Sequence, residues 1–245
     1  MRIAALADIH GNLLALEAAI ADLREMAPDL VVDLGDHLSG PLQAGATADL
    51  LLTQAWVSIR GNHDRHLVER EPEKMSPADR AAHEQLTETH RIWLRSLPAT
   101  RDLDGSVRLC HGSPRSDMVF LLEDFSEAGI ALAPREAIET RLDPGPDLVL
   151  CAHSHIPRIV ALANGMTVVN PGSIGLQAFR DDKPFPYRVE LGSPHARYAV
   201  LDQVGRSWRV TFRTVEYDWQ AASAIAGEAE RPDWAHALAT GYVLR

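Results

Sequence analysis

The hexapeptide "RGNHDR", residues 60–65, decides how the rest of the chain is read. It follows a short apolar run, Ala55-Trp56-Val57-Ser58-Ile59, that reads as a buried strand running out into a loop. A glycine-led turn needs at most one polar residue of this kind. Asn62, His63 and Asp64 stand in a row, each able to bind a metal or move a proton, and so point to chemistry at the end of that strand.

Outward from residue 60 the same arrangement recurs. Residues 2–7 are apolar and end at "DIHGN", where Asn12 is placed to cap a helix over 13–26 carrying Leu13, Leu16, Ile20 and Leu23 at helical spacing. "DLVVDL" (29–34) predicts a second strand ending at Gly35-Asp36, and a short helix over about 45–54 leads back to "RGNHD". This alternation of strand and helix predicts a mostly parallel sheet. "SPAD" (76–79) opens a long helix running to about 96, with Ser76 as cap, Pro77 in the first turn and Asp79 at the acidic capping-box position. Hairpins are expected around Asp104-Gly105 and Asn164-Gly165 and over 196–215, a buried strand at "PDLVLCAHSH", and a helical tail from 218. Residues 114–146 read as mixed loop and helix. With no repeat or linker, one domain over 1–245 is expected, with cap-like elements at about 66–98 and 114–146.

The chain has 245 residues, 46% hydrophobic and 24% charged, enough to build a core without staples. Its formal net charge of −10 disfavours clamping of duplex nucleic acid, which calls for a basic face. It leaves room for a small anionic substrate, because bound metal ions reverse the local field. No apolar run approaches the ~20 residues that span a bilayer. "MRIAALADIH" reads as a first strand rather than a signal peptide, so a cytoplasmic protein with no membrane partner is expected. Cys110 and Cys151 lie in apolar runs and read as buried free thiols.

The polar residues at strand ends form one set: Asp8, His10, Asp36, Asn62, His63, Asp64, His111, His153 and His155. Ligands bind beyond the carboxyl ends of strands in open α/β sheets, so residues distant in sequence converge there. In an extended segment the D-x-H and H-x-H spacings put both members on one side. The set mixes nitrogen and oxygen without thiolate, which suits Mn, Fe, Zn, Co or Ni in an open catalytic site. Two ions sharing a bridging carboxylate, ~3.5–4 Å apart, would use so many ligands and activate a water for attack on phosphorus.

The ordered motifs "DIHGN", "GDH", "GNHD", "CHGS" and "AHSH", with "NPGSIG" at 170–175, resemble the calcineurin-like metallophosphoesterase superfamily, most closely its compact bacterial and archaeal phosphodiesterase branch. The resemblance spans most of the chain and implies a four-layer α/β/β/α sandwich of two mixed sheets. It implies that Asp8, His10 and His155 hold one divalent metal, that Asn62, His111 and His153 hold a second, and that Asp36 bridges them. Manganese comes first among the implied ions, followed by Fe, Zn, Ni, Co or Mg. His63 would protonate the leaving oxygen while a metal-bound hydroxide attacks, and Asp64 would orient His63. Asn12 and Arg180 are candidate substrate contacts, Arg180 through the fit of guanidinium to phosphate.

Two features depart from the family pattern. Ala152 replaces the usual Gly before H-x-H, and its backbone is expected to remain in the β region, with no loss of metal. The 176–196 connection is long and, with Pro184, Pro186 and Pro194, stiff and non-helical; it reads as a lid, an oligomer contact or an inert insertion. His37 and His66 neighbour the site and are placed to touch substrate, while Trp93 and Leu94 read as core. The leading expectation is hydrolysis of a phosphodiester or phosphoanhydride bond in a small nucleotide-like substrate, with no base-reading pocket evident. A phosphomonoesterase, such as a protein phosphatase, and a non-catalytic scaffold are the alternatives.

Overall fold

A computed structural model describes residues 1–183 and 185–245. Its first strands are β1 (Arg2–Leu6), β2 (Leu30–Asp33), β3 (Val57–Ser58), β4 (Thr100–Leu103), β5 (Val107–Cys110), β6 (Glu123–Ser126) and β7 (Gly129–Leu132). Then come β8 (Leu148–Leu150), β9 (Arg158–Ala161), β10 (Thr167–Asn170), β11 (Ala178–Asp181), β12 (Tyr187–Glu190), β13 (Ala196–Val204) and β14 (Ser207–Val215). The α-helices are α1 (Leu13–Met26), α2 (Ala44–Leu52), α3 (Asn62–Glu69), α4 (Pro77–His83), α5 (Glu88–Ser96), α6 (Arg135–Thr140), α7 (Trp219–Glu228) and α8 (Pro232–Thr240).

Two five-stranded mixed sheets result, ordered β14-β13-β1-β2-β3 and β4-β5-β8-β10-β9. β1, β2 and β3 run parallel in the first, and β5, β8 and β10 run parallel in the second. The sheets face each other through Ile3, Ala5, Val32 and Ile59 on one side and Leu109 and Leu150 on the other. The alternate residues Ala4 and Leu6 turn outward and pack under α1 through Leu16 and Leu23. Val149 and Val168 face outward from the second sheet onto Leu121, Ile138 and Leu142. Both faces of β1 and β8 are therefore buried, which is why these strands read as unbroken apolar runs. The layering is the α/β/β/α sandwich expected from the sequence. Cys110 and Cys151 are buried free thiols.

The structure departs from the sequence reading in several places, among them residues 114–146, read as mixed loop and helix, which include the antiparallel β6–β7 hairpin. The long helix expected over 76–96 is two helices, α4 and α5. Thr87 ends the run by capping α5, its hydroxyl accepting from His90 N (3.3 Å), and the Gln85 side chain anchors the break by donating to Leu42 O (2.9 Å). The strand before "RGNHDR" is not a buried core strand but a two-residue edge strand, half-buried, because no further strand pairs beyond it. The segment after it is helix α3, not loop. The 176–196 connection is not an irregular loop, because β11 and β12 pair antiparallel, Phe179 with Val189 and Arg180 with Arg188. Pro184 lies outside the described residues. Among those residues no helix is long and apolar enough to cross a membrane.

Candidate metal centre and catalytic histidine

The site is assembled by backbone hydrogen bonds between the loops that follow β1, β2, β5 and β8. Asp8 N donates to Gly35 O (3.0 Å), His10 N to Asp36 O (3.0 Å) and Ala152 N to His111 O (2.7 Å). The "NPGSIG" turn is stitched to the first loop by Ile174 N to Ala7 O and Gly175 N to Asp8 O, both 2.9 Å. A Cβ on Gly175 would stand 1.8 Å from Ile9 O, and one on Gly61 would stand 2.2 Å from Asp36 Oδ1, so both positions exclude any side chain.

Five of the seven predicted ligands, Asp8, His10, Asp36, His153 and His155, sit at φ of 53°, 52°, 58°, 71° and 60°. Left-handed backbone at non-glycine residues is strained by roughly 1–2 kcal/mol each and is held by the surrounding loops. The i,i+2 pairs therefore meet through left-handed kinks rather than along the extended chain that their spacing suggested. Ala152 is not among the positive-φ residues, as expected of a position where Gly is dispensable.

All seven residues come together. Oxygen or ring-nitrogen atoms of Asp8, His10 and His155 lie within 4.8 Å of one another, as do those of Asp36, His111 and His153. In the first group His10 Nδ1 donates to Ser39 O (2.8 Å) and His155 Nδ1 to Leu176 O (2.7 Å). With those protons on Nδ1, the two Nε2 lone pairs face each other at 3.2 Å. Both Asp8 oxygens are buried without a hydrogen-bond partner. Burial depresses His10 to about 4 and His155 well below the ordinary imidazole range, and it pushes the Asp8 carboxyl well up. Neutral imidazoles fixed by Nδ1–H bonds to carbonyls, beside an unsatisfied carboxylate, are the donor set of a metal-ligating centre.

The second group is more self-contained. His111 Nδ1 donates to Leu34 O (2.8 Å), and its Nε2 lies 3.1 Å from Asn62 Oδ1 and 3.2 Å from Asp36 Oδ2. Burial opposes the His111 cation, yet Asp36 and Asp8 outweigh it and hold the ring at about 10, a measure of how strongly the pocket attracts positive charge. Burial lowers His153 to about 3.

The carboxylate behind His63 is Asp79, not Asp64. His63 Nδ1 lies 2.7 Å from Asp79 Oδ1, and Asp79 is fixed by Ser39 Oγ and Ser76 Oγ, each at 2.8 Å. Asp64 faces the other way. It accepts from the backbone N–H of Asp36 (2.8 Å), His37 (3.0 Å) and Gly61 (2.8 Å), and from His37 Nδ1 (2.8 Å). On a helix, consecutive side chains point about 100° apart, so His63 and Asp64 cannot share a target. Asp64 thus holds the turn that presents Asp36. Burial opposes the His63 cation, but Asp36 and Asp79 outweigh it and hold the ring at about 9. The His63 side chain is 30% exposed, open to the cavity it lines.

Two neighbouring expectations change as well. Asn12 is not available to substrate: its Oδ1 caps α1 at Ala15 N (3.1 Å) and its Nδ2 donates to Gly175 O (3.0 Å). His37 is fully buried between Asp33 Oδ2 (3.1 Å) and Asp64, under the ring of Trp93, and reaches no substrate. His66 does line the cavity and stands edge-on to His63, with ring centroids 5.6 Å apart. Arg180 is exposed on β11 and lines the same cavity of about 910 Å³. Asp79 read only as a helix cap in the sequence, and nothing but tertiary packing reveals its second task.

A two-sheet sandwich with clustered His and Asp at its strand ends defines a metal-binding phosphoesterase. The chain belongs to the calcineurin-like phosphoesterase superfamily, whose domain model matches residues 1–189, and it is accordingly a hydrolase of phosphoester bonds. A metallophosphoesterase from Sphaerobacter thermophilus is similar, with 27% identity and a TM-score of 0.74 over 98% of this chain and 99% of that one. A hypothetical protein from Pyrococcus horikoshii has 24% identity and a TM-score of 0.72 over 98% of each chain. An uncharacterized protein of Methanocaldococcus jannaschii is 24% identical over 95% of this chain and 94% of its own length.

Proposed function

We propose that the protein is a two-metal hydrolase of phosphodiester or phosphoanhydride bonds in small, nucleotide-like substrates, with His63 as the proton donor. The observation that carries this reading is the pair of Nε2 lone pairs of His10 and His155 facing each other at 3.2 Å beside a partnerless Asp8 carboxylate. Apposed lone pairs and a buried unpaired carboxylate are costly unless a cation satisfies them. Asp8, His10 and His155 would hold one ion, and Asn62, His111 and His153 the other, with Asp36 between them and manganese as the first candidate. Ions held by these residues would supply Lewis acidity toward a phosphoryl group and lower the pKa of water. His63 is oriented through Nδ1 by Asp79, whose carboxylate favours the protonated ring, and has Nε2 free to give a proton to a leaving oxygen. The cavity of about 910 Å³ lined by His63 is large enough for a substrate bigger than a phosphate monoester of a small alcohol, which is compatible with a diester.

The test is turnover of bis-p-nitrophenyl phosphate beside p-nitrophenyl phosphate by metal-stripped protein, with Mn²⁺, Ni²⁺, Co²⁺, Zn²⁺ or Mg²⁺ added back in turn. Metal-dependent turnover that favours the diester is expected. Preference for the monoester would replace the diesterase reading by a phosphatase, and no turnover with any metal would overturn the catalytic reading.

A further inference from the structure

One wall of the cavity is aromatic, and it begins at the candidate metal ligands. Phe120 stands edge-on to His153, centroids 4.5 Å apart at 87°, and Phe125 follows 4.9 Å from Phe120. Tyr187 lies 4.7 Å from Phe125. Phe179 lies 4.7 Å from His155 and 6.1 Å from Tyr187. All four rings line the cavity that also contains His63. They arrive from the β6–β7 hairpin with its leading loop and from the β11–β12 hairpin, two insertions that lie side by side. Phe125, Phe179 and Tyr187 are only half-buried, unlike Tyr198 in the main core, which is fully enclosed. Arg180 follows Phe179 on the same strand, lines the cavity, and pairs with no acidic side chain among the described residues.

We infer that this wall is a stacking site for the base of a nucleotide whose phosphate lies at the metal centre; the inference rests on the hydrolase reading above. A substrate with phosphorus beside His153 and His155 has its organic part directed along rings that start at those residues. Flat, partly open π-faces suit a planar heterocycle, because every base has a π-face to stack. Arg180 supplies the cation for a second phosphate at the same wall. The base-reading surface that the sequence did not reveal is thus supplied by residues that read singly as ordinary apolar positions.

The experiment compares adenosine 5′-monophosphate with ribose 5-phosphate by titration calorimetry in the presence of Mn²⁺. The two share the phosphate and sugar and differ in the base. The nucleotide is expected to bind at least about 10-fold tighter, a margin of ~1.4 kcal/mol. Phe125→Leu and Tyr187→Leu are expected to erase most of that margin, while Phe125→Tyr and Tyr187→Phe, which retain the ring, keep it. Equal affinities in the wild type, or a margin that survives both leucine variants, would overturn the stacking site. Turnover of bis-p-nitrophenyl phosphate by the same wild-type preparation separates the two readings. Turnover with equal affinities removes only the stacking site, and a base-dependent margin without turnover removes only the hydrolase.

Discussion

The two walls of the cavity are built by different means. The wall that carries His63 is a hydrogen-bonded lattice: Asp79, Ser39 and Ser76 lock the imidazole, and Asp64 gathers three backbone N–H groups and His37 into one turn. The opposite wall is held by ring contacts between two hairpins and leaves those rings half open. Directional bonds fix a catalytic atom to a fraction of an ångström, whereas stacked rings accept a range of positions. Chemistry and recognition are therefore expected to separate on mutation, kcat following the first wall and KM the second.

Asp36→Ala should break the first wall most severely. It removes the carboxylate proposed to bridge the two ligand groups, and activity should fall by on the order of 10³-fold or more, given several kcal/mol of charge stabilisation. Elemental analysis should show both ions lost together; retention of two would sink the bridging assignment. His63→Ala should leave metal content intact and cut kcat by ~10²–10⁴. Full activity in that variant would remove His63 from the mechanism.

Asp79→Asn and Asp64→Ala sharpen the contrast within the first wall. Asp79→Asn should lower kcat by roughly 10–100-fold, the usual worth of a carboxylate that orients a catalytic imidazole. It should also move the alkaline limb of the rate profile to lower pH. As the proposed proton donor His63 would act protonated, and loss of the Asp79 charge lowers its pKa, so activity would be lost earlier as pH rises. An unmoved limb would place the orienting group elsewhere. Asp64→Ala should instead act on stability, lowering it by ~3–5 kcal/mol because His37 Nδ1 and the buried N–H groups of Asp36, His37 and Gly61 lose their common acceptor, with Asp33 alone left beside His37. Thermal unfolding measures this, and a Tm shift no larger than that of Asp79→Asn would contradict the division of labour. On the second wall Arg180→Ala should raise KM by about 5–10-fold at unchanged kcat, in line with the 1.5–3 kcal/mol range for hydrogen bonds to charged groups discounted for exposure. An unchanged KM for every substrate would leave Arg180 as an exposed cation on β11 with no part in binding.

The sandwich and the seven ligand candidates were legible because each motif couples a strand end to residues of unambiguous chemistry: "DIHGN", "GDH" and "AHSH" have few other uses at such places. The partner of His63 was not. Asp64 is adjacent in sequence, but the chain turns helical at Asn62 and carries it to the other side, while Asp79 arrives from a helix start whose capping role already accounts for an acid there. Asn12 misled for the opposite reason: it lies inside a motif, yet cap and loop bonds use its amide fully. The aromatic wall escaped because Phe120, Phe125, Phe179 and Tyr187 carry no period that distinguishes a ring facing a cavity from one facing a core.

The left-handed residues have a consequence for how this fold ages. Five candidate ligands stand in backbone that glycine alone adopts freely, and their combined strain is a sizeable share of the ~5–15 kcal/mol that separates a folded domain from its unfolded chain. Each of these positions is a standing incentive to drift: a change to glycine relaxes the backbone and erases a ligand in one step. Selection for turnover has to oppose that drift continuously, and a lineage released from it would become sturdier as it became inert.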